Sequence, residues 1–90
     1  MTKKSLLKFP CLFPIKVMGL NNGNFTQQVI DTISNYCNID DFNPNNDVHI
    51  KTSKQGNYLS VTATIMAQSQ IQLDNIYIAL NKNNLVKITL

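Results

Sequence analysis

Tyr58-Leu59-Ser60-Val61-Thr62-Ala63-Thr64-Ile65-Met66-Ala67 alternates along its whole length. Leu59, Val61, Ala63, Ile65 and Ala67 take one parity; Tyr58, Ser60, Thr62, Thr64 and Met66 take the other. Successive side chains of a strand point to opposite faces, so the pattern predicts a half-buried strand over 58–67. Its β-branched residues suit a pleated surface. A sheet built on this strand has one covered face and one open face.

Immediately upstream, Lys54-Gln55-Gly56-Asn57 reads as a hairpin turn in which Gly56 takes positive φ. The partner strand is then 47–53, with Val48 and Ile50 inward. Downstream, Ser69-Gln70-Ile71-Gln72 matches a capping box, in which hydroxyl and amide satisfy orphan N–H groups reciprocally. It opens a helix over 69–81 that buries Leu73, Ile76, Tyr77 and Leu80. Asn83-Asn84 turns the chain into a strand over 85–90, with Val86, Ile88 and Leu90 inward.

Phe13, Ile15 and Val17 alternate with Pro14, Lys16 and Met18, which predicts a strand over 13–20 with Pro14 at its beginning. Gly19 to Asn24 is a turn containing Asn22-Gly23, and Asn24 suits a helix N-cap. A helix over 24–37 comes next, with Phe25, Val29, Ile30, Ile33 and Cys37 on one stripe. Residues 38–47 are polar, contain Pro44 and read as a loop. The order βαββαβ, with right-handed crossovers, gives an α+β domain of ferredoxin-like form. It is a four-stranded antiparallel sheet, order 4-1-3-2, with both helices on one face. Residues 9–90 make one domain and residues 1–8 a flexible basic tail.

Charge and composition narrow the function. The chain carries eight basic and five acidic residues in 90, a formal +3. Every base is Lys and every acid Asp. Setting aside Lys3, Lys4 and Lys8 leaves five Lys against five Asp, so the basic excess belongs to the leading segment. Without Arg, the chain lacks the planar guanidinium used for bidentate recognition of phosphate, carboxylate or guanine. Lys3-Lys4 is followed by too short an apolar run for a signal peptide, and no run approaches a membrane span. A cytoplasmic protein with reduced Cys11 and Cys37 is expected. The two cysteines and one His match no zinc spacing, and no metal or cofactor is implied. Nor is there a catalytic constellation: His49 lacks a triad or metal partner, and Asp40-Asp41 sits in a polar loop.

Two segments resemble a known family. Phe13-Pro14-Ile15-Lys16-Val17-Met18-Gly19 and Ser53-Lys54-Gln55-Gly56-Asn57-Tyr58-Leu59-Ser60-Val61-Thr62 look like the hallmark segments of the small bacterial YbeD-like family, also called UPF0250 or DUF493. The final strand, Val86-Lys87-Ile88-Thr89-Leu90, is similar too. The resemblance implies a ferredoxin-like fold similar to ACT-type regulatory domains. It also implies a non-enzymatic regulatory role linked to lipoate, as a lipoic-acid-binding regulatory protein. It implies no catalytic residues.

Two surfaces are candidates for binding. The alternation assigns Lys16, Met18, His49, Lys51, Tyr58, Ser60, Thr62, Thr64, Lys87 and Thr89 to the open face, with three Lys and no Asp. That is a weakly basic platform for a small anionic or lipoyl ligand, or for a protein partner. Met18 and Tyr58 can bury apolar area there beside Lys16 and Lys51. Exposed helix positions such as Gln27, Gln28, Asp31, Ser34, Gln70 and Asp74 are short, polar and poor anchors. The second surface is the turn at Gly19, Asn21, Asn22 and Gly23, which leads into a helix N-terminus that favours anions. RNA binding by the open face is the alternative, disfavoured because Tyr58 is its one aromatic residue. A monomer, or a weak homodimer through a sheet edge, is expected.

Overall fold

The inward row of the 58–67 strand is buried as its alternation requires: Val61, Ala63, Ile65 and Ala67 are wholly covered and Leu59 nearly so. A computed structural model describes residues 7–90. It contains strand β1 (Cys11–Leu20), helix α1 (Phe25–Ser34), strands β2 (Val48–Thr52) and β3 (Tyr58–Ala67), helix α2 (Gln70–Asn81) and strand β4 (Val86–Thr89). The sheet order is β2-β3-β1-β4, which is 4-1-3-2 read from the other edge, and all pairings are antiparallel. This is the ferredoxin-like α+β fold. Lys3 and Lys4 of the expected basic tail lie outside the described residues, and Lys8 is exposed.

β1 and β3 pair over ten residues, from Cys11 opposite Ala67 to Leu20 opposite Tyr58. β1 therefore starts before Pro14, earlier than the proline suggests. The reason is directional. Lys16 N–H donates to Leu90, so even-numbered residues of β1 turn their N–H toward β4. Pro14 lies beyond that last contact, and its missing N–H costs no ladder bond.

The core closes when α1 and α2 lie across the inward row. Phe25, Val29 and Ile33 of α1 and Leu73, Ile76 and Leu80 of α2 meet Ile15, Val17, Val61 and Ile65. Phe42, in the segment expected to be a purely polar loop, is also buried. It pins the 38–47 connection to the domain, helped by Met66 N–H donating to Asp41 and Phe42 N–H to Asn38.

Caps and turns differ from expectation in detail. α1 ends at Ser34, not Cys37, because Tyr36 and Cys37 N–H donate to Ile33 and Ser34, three residues back, which tightens and stops the helix. Asn24 makes no side-chain cap; Asn22 Oδ1 instead accepts from Asn24 N–H at 2.9 Å. Ser69 Oγ does cap α2 by accepting from Gln72 N–H at 3.1 Å. Gln72 Oε1 reaches back one residue further than a capping box requires, to Gln68 N–H at 2.7 Å. Gly56 has φ 78°, as the hairpin demands.

Three expected inward residues of the edge strands are not covered. Ile50 pairs with Val61 and shares its side of the sheet, but is 53% exposed because among the described residues β2 contacts only β3. Ile88 and Leu90 lie on the opposite face altogether. Met18 pairs with Ile88 while Gly19 pairs with Val86, so Lys87 is an extra residue in β4. This bulge reverses the parity of the residues beyond it. Thr89 moves to the helix side, where Asn81 Nδ2 donates to its hydroxyl at 3.4 Å. Val86 alone of the expected inward row of β4 stays inward.

Truncating Ile65 to Ala should cost about 2–5 kcal/mol in urea unfolding, because the wholly buried side chain leaves a cavity between sheet and helices. Gly19→Ala should also destabilise, by about 1–3 kcal/mol. A Cβ there would collide with the Leu85 carbonyl and the Phe25 ring, and the carbonyl belongs to the backbone and cannot rotate away.

Candidate functional site

On the open face the rows of side chains are set by the pairing register. His49, Thr62 and Lys16 lie in line across β2, β3 and β1, and Leu90 faces Lys16 through reciprocal main-chain bonds of 3.2 and 2.8 Å. The next row holds Lys51, Ser60, Met18 and Ile88. Tyr58 and Leu20 form the row after that.

A groove of about 420 Å³ runs along these rows. Met18, Tyr58 and Leu90 supply its apolar surface, and Lys16 and Lys51 contribute ammonium groups. Ser53 and Ser60 add hydroxyls. Its size falls within the range of small-molecule sites, although at the small end. A second hollow beside it joins Pro14, Lys16, Thr62 and Leu90. Lys16 and Leu90 thus border both.

Four candidates chosen from sequence, Lys16, Met18, Lys51 and Tyr58, come together in this groove. His49 lies on the same face by register but outside the groove lining. Sequence reasoning misses Leu90 and Ile88, because the bulge that turns them outward is a property of the β1–β4 pairing. The loose alternation of 86–90 holds no sign of it. Thr89, expected on this face, belongs to the other, while Lys87 is the bulged residue itself and is exposed.

The turn before α1 is built differently. Gly19 is buried beneath Phe25 and Leu85, and its lack of a side chain serves packing. Asn21, Asn22 and Gly23 are exposed. Asn21 N–H donates to Asn57 at 2.9 Å and Asn21 Nδ2 to Gly56 at 2.7 Å, tying the turn to the β2–β3 hairpin. Asn22 accepts from Asn24 N–H through its side chain and from Phe25 N–H through its carbonyl. The N–H groups of Asn21, Asn22, Asn24 and Phe25 are thus engaged within the turn, while no side chain caps the first turn of α1. The structure offers no reason for glycine at Gly23.

The helix side is less polar than its sequence suggests. Ile71 and Ile78 of α2 are exposed at 73% and 56%, and Tyr36 and Ile39 are exposed after α1. Apolar anchors are therefore not confined to the open sheet face. Among the described residues no helix is long and apolar enough to cross a membrane.

Cys37 is half-buried between α2 and the loop, 3.7 Å from Gln72 Nε2. Burial, reinforced by the nearby Asp41 carboxylate, pushes its thiol up to about 11. The neutral thiol is the form the fold favours. Any stability it lends is present below the ordinary thiol range and is lost as pH rises toward 11. Since the thiolate is the reactive species, Cys37 should be alkylated by iodoacetamide at pH 8 up to about a hundredfold more slowly in the folded protein than in urea. Mass spectrometry of time points, resolved by peptide, measures this directly.

Residues 4–90 match the family described as a protein of unknown function, DUF493. The UPF0250 protein of Nitrosomonas europaea is 41% identical over 90 residues, covering 100% of both chains. The UPF0250 protein of Neisseria meningitidis serogroup C is 41% identical over 91 residues, covering 98% of this chain and 93% of its own. Among solved structures, the solution structure of protein HP0495 from H. pylori superposes with a TM-score of 0.75 at 20% identity, over 99% of this chain and 90% of that one. That likeness concerns the fold.

Proposed function

The chain belongs to the DUF493 family of proteins of unknown function, and on that premise we propose that it is a non-enzymatic module that works by binding. Its role would be regulatory or adaptor-like, and the open-face groove its binding surface. The observation that carries this reading is the joining of an apolar floor, Met18, Tyr58 and Leu90, to two lysines, Lys16 and Lys51, in one groove. Such a groove suits an aliphatic chain ending in a carboxylate, or the same features on an acidic protein. A lipoyl group has this chemistry. Support for binding rather than catalysis is that, among the described residues, no Asp, His or Cys side chain lines the groove to activate its hydroxyls.

Magnitudes favour a weak ligand. Burying about four methylenes gains about 3 kcal/mol, and each exposed lysine pair adds at most about 1. The gross sum, before the cost of immobilising the ligand, corresponds to sub-millimolar affinity at best. A regulator of this kind responds to an abundant metabolite, or gains affinity from a protein carrying the group.

RNA binding is the second reading, favoured by Tyr58 and two lysines exposed on one sheet face. Salt separates the two. Phosphate contacts weaken steeply with ionic strength, whereas apolar contacts do not.

NMR titration with lipoate, octanoate and a single-stranded RNA, each at low and high salt, tests both. Lipoate and octanoate should shift Lys16, Met18, Lys51, Tyr58 and Leu90, and Tyr58→Ala should weaken binding about 5–30-fold, as loss of a buried anchor does. Shifts produced only by RNA and abolished by salt would favour the second reading. No shift from the acids at millimolar concentration would overturn the first.

A further inference from the structure

β2 is an outer strand of the sheet. Asp47 C=O accepts from Thr64 N–H and Ser53 N–H donates to Tyr58, both at 2.9 Å. In an antiparallel ladder these bonds alternate, so residues 47, 49, 51 and 53 turn their main chain toward β3. Val48, Ile50 and Thr52 turn theirs outward.

That edge carries few of the usual guards. β2 holds no proline and no bulge, and no helix packs over it among the described residues. β4, at the other edge, is bulged and shorter. Exposed main-chain donors and acceptors beside a half-bare Ile50 form a template for another strand.

The sequence Val48-His49-Ile50-Lys51-Thr52 selects the strand it fits. Consider β2 pairing antiparallel with itself about a twofold axis. An axis at Lys51 sets lysine against lysine, which is unfavourable. An axis at His49 leaves Thr52 without a strand partner. An axis at Ile50 pairs all five residues. Ile50 then faces Ile50, Val48 faces Thr52, and Lys51 faces the partner's His49. The three outward-turned pairs exchange about two main-chain bonds each.

Charge favours the same register. Asp47 continues the β2 ladder opposite Thr64 and shares its parity with His49 and Lys51, so it belongs to the open-face row. With the axis at Ile50, Asp47 stands opposite the partner's Ser53 and diagonal to the partner's Lys51. Long side chains span that diagonal. Twofold symmetry repeats the pair, so each copy supplies both the acid and the base.

We propose that the β2 edge docks a second copy of this chain, with the two strands antiparallel about Ile50, to give one continuous eight-stranded sheet. The occupant is self because the apolar pairing and both charge pairs close within the dimer. The arrangement also concerns the groove. Lys51 and Thr52 line it at the β2 edge, so the partner's His49 would come beside Lys51 at the groove's rim.

Sedimentation equilibrium of the full chain over a wide concentration range tests this. The wild type should rise from the monomer mass of 10.2 kDa toward twice that value as concentration increases. Ile50→Pro removes one outward N–H and no bond to β3, and Ile50→Lys sets like charges face to face. At concentrations where the wild type is monomeric both variants should keep its circular dichroism and melting temperature, yet they should dimerise at least about tenfold more weakly. A wild type that stays monomeric at the highest attainable concentration would overturn the proposal, leaving the edge to a strand of another protein. So would a dimer that both folded variants form as well as the wild type, since the interface would then lie elsewhere, for instance at Ile71 and Ile78.

Discussion

The pairing of β1 with β3 is the constraint on which the other features of this domain depend. Ten residues of each strand run side by side without a break, from Cys11 and Ala67 at one end to Leu20 and Tyr58 at the other. The register places Ile15 beside Ala63 and Val17 beside Val61, so that both strands turn one apolar row toward the helices. A slip of one residue would turn that whole row to solvent and leave α1 and α2 nothing to cover. The same register aligns Lys16 with Thr62 and Met18 with Ser60 on the far side. Core and groove are thus two faces of one ladder.

The outer strands obey weaker constraints, and the chemistry of the surface comes from them. The helices lie over the central pair and over β4, leaving β2 in contact with β3 alone among the described residues. Ile50 accordingly has the parity of a core residue without its burial. At the other side, a single extra residue at Lys87 turns Ile88 and Leu90 to the open face. Leu90 joins Met18 and Tyr58, so the open face gains apolar area beyond what the alternation of β1 and β3 supplies. A bulge in a four-residue strand thereby changes the chemistry of the open face.

The two candidate surfaces differ in how their polar groups are occupied. In the turn before α1, the main-chain N–H groups of Asn21, Asn22, Asn24 and Phe25 and the side chains of Asn21 and Asn22 are spent on holding the turn to the hairpin and to the helix start. Gly19 is there because Phe25 and Leu85 leave room for nothing larger. The open face has the opposite character, with Lys16, Met18, Lys51 and Tyr58 left exposed by the pairing.

The parts of the molecule that rest on local periodicity are legible in the residues alone. The alternation of 58–67, the stripes of Phe25, Val29 and Ile33 and of Leu73, Ile76 and Leu80, and Gly56 in its hairpin are all matters of residue type and spacing. Together they lead to the element order, the sheet order and the buried Val61 and Ile65. They also bring Lys16, Met18, Lys51 and Tyr58 to one face, because parity within a strand is local. The remainder was settled by contacts between distant segments. The sides taken by Ile88, Thr89 and Leu90 depend on where Lys87 fails to pair with β1. The exposure of Ile50 depends on where two helices stop, and the burial of Phe42 on a hollow its own loop cannot foretell. Each is a relation between segments far apart in the chain, set by partner and coverage, and no period within one segment encodes it.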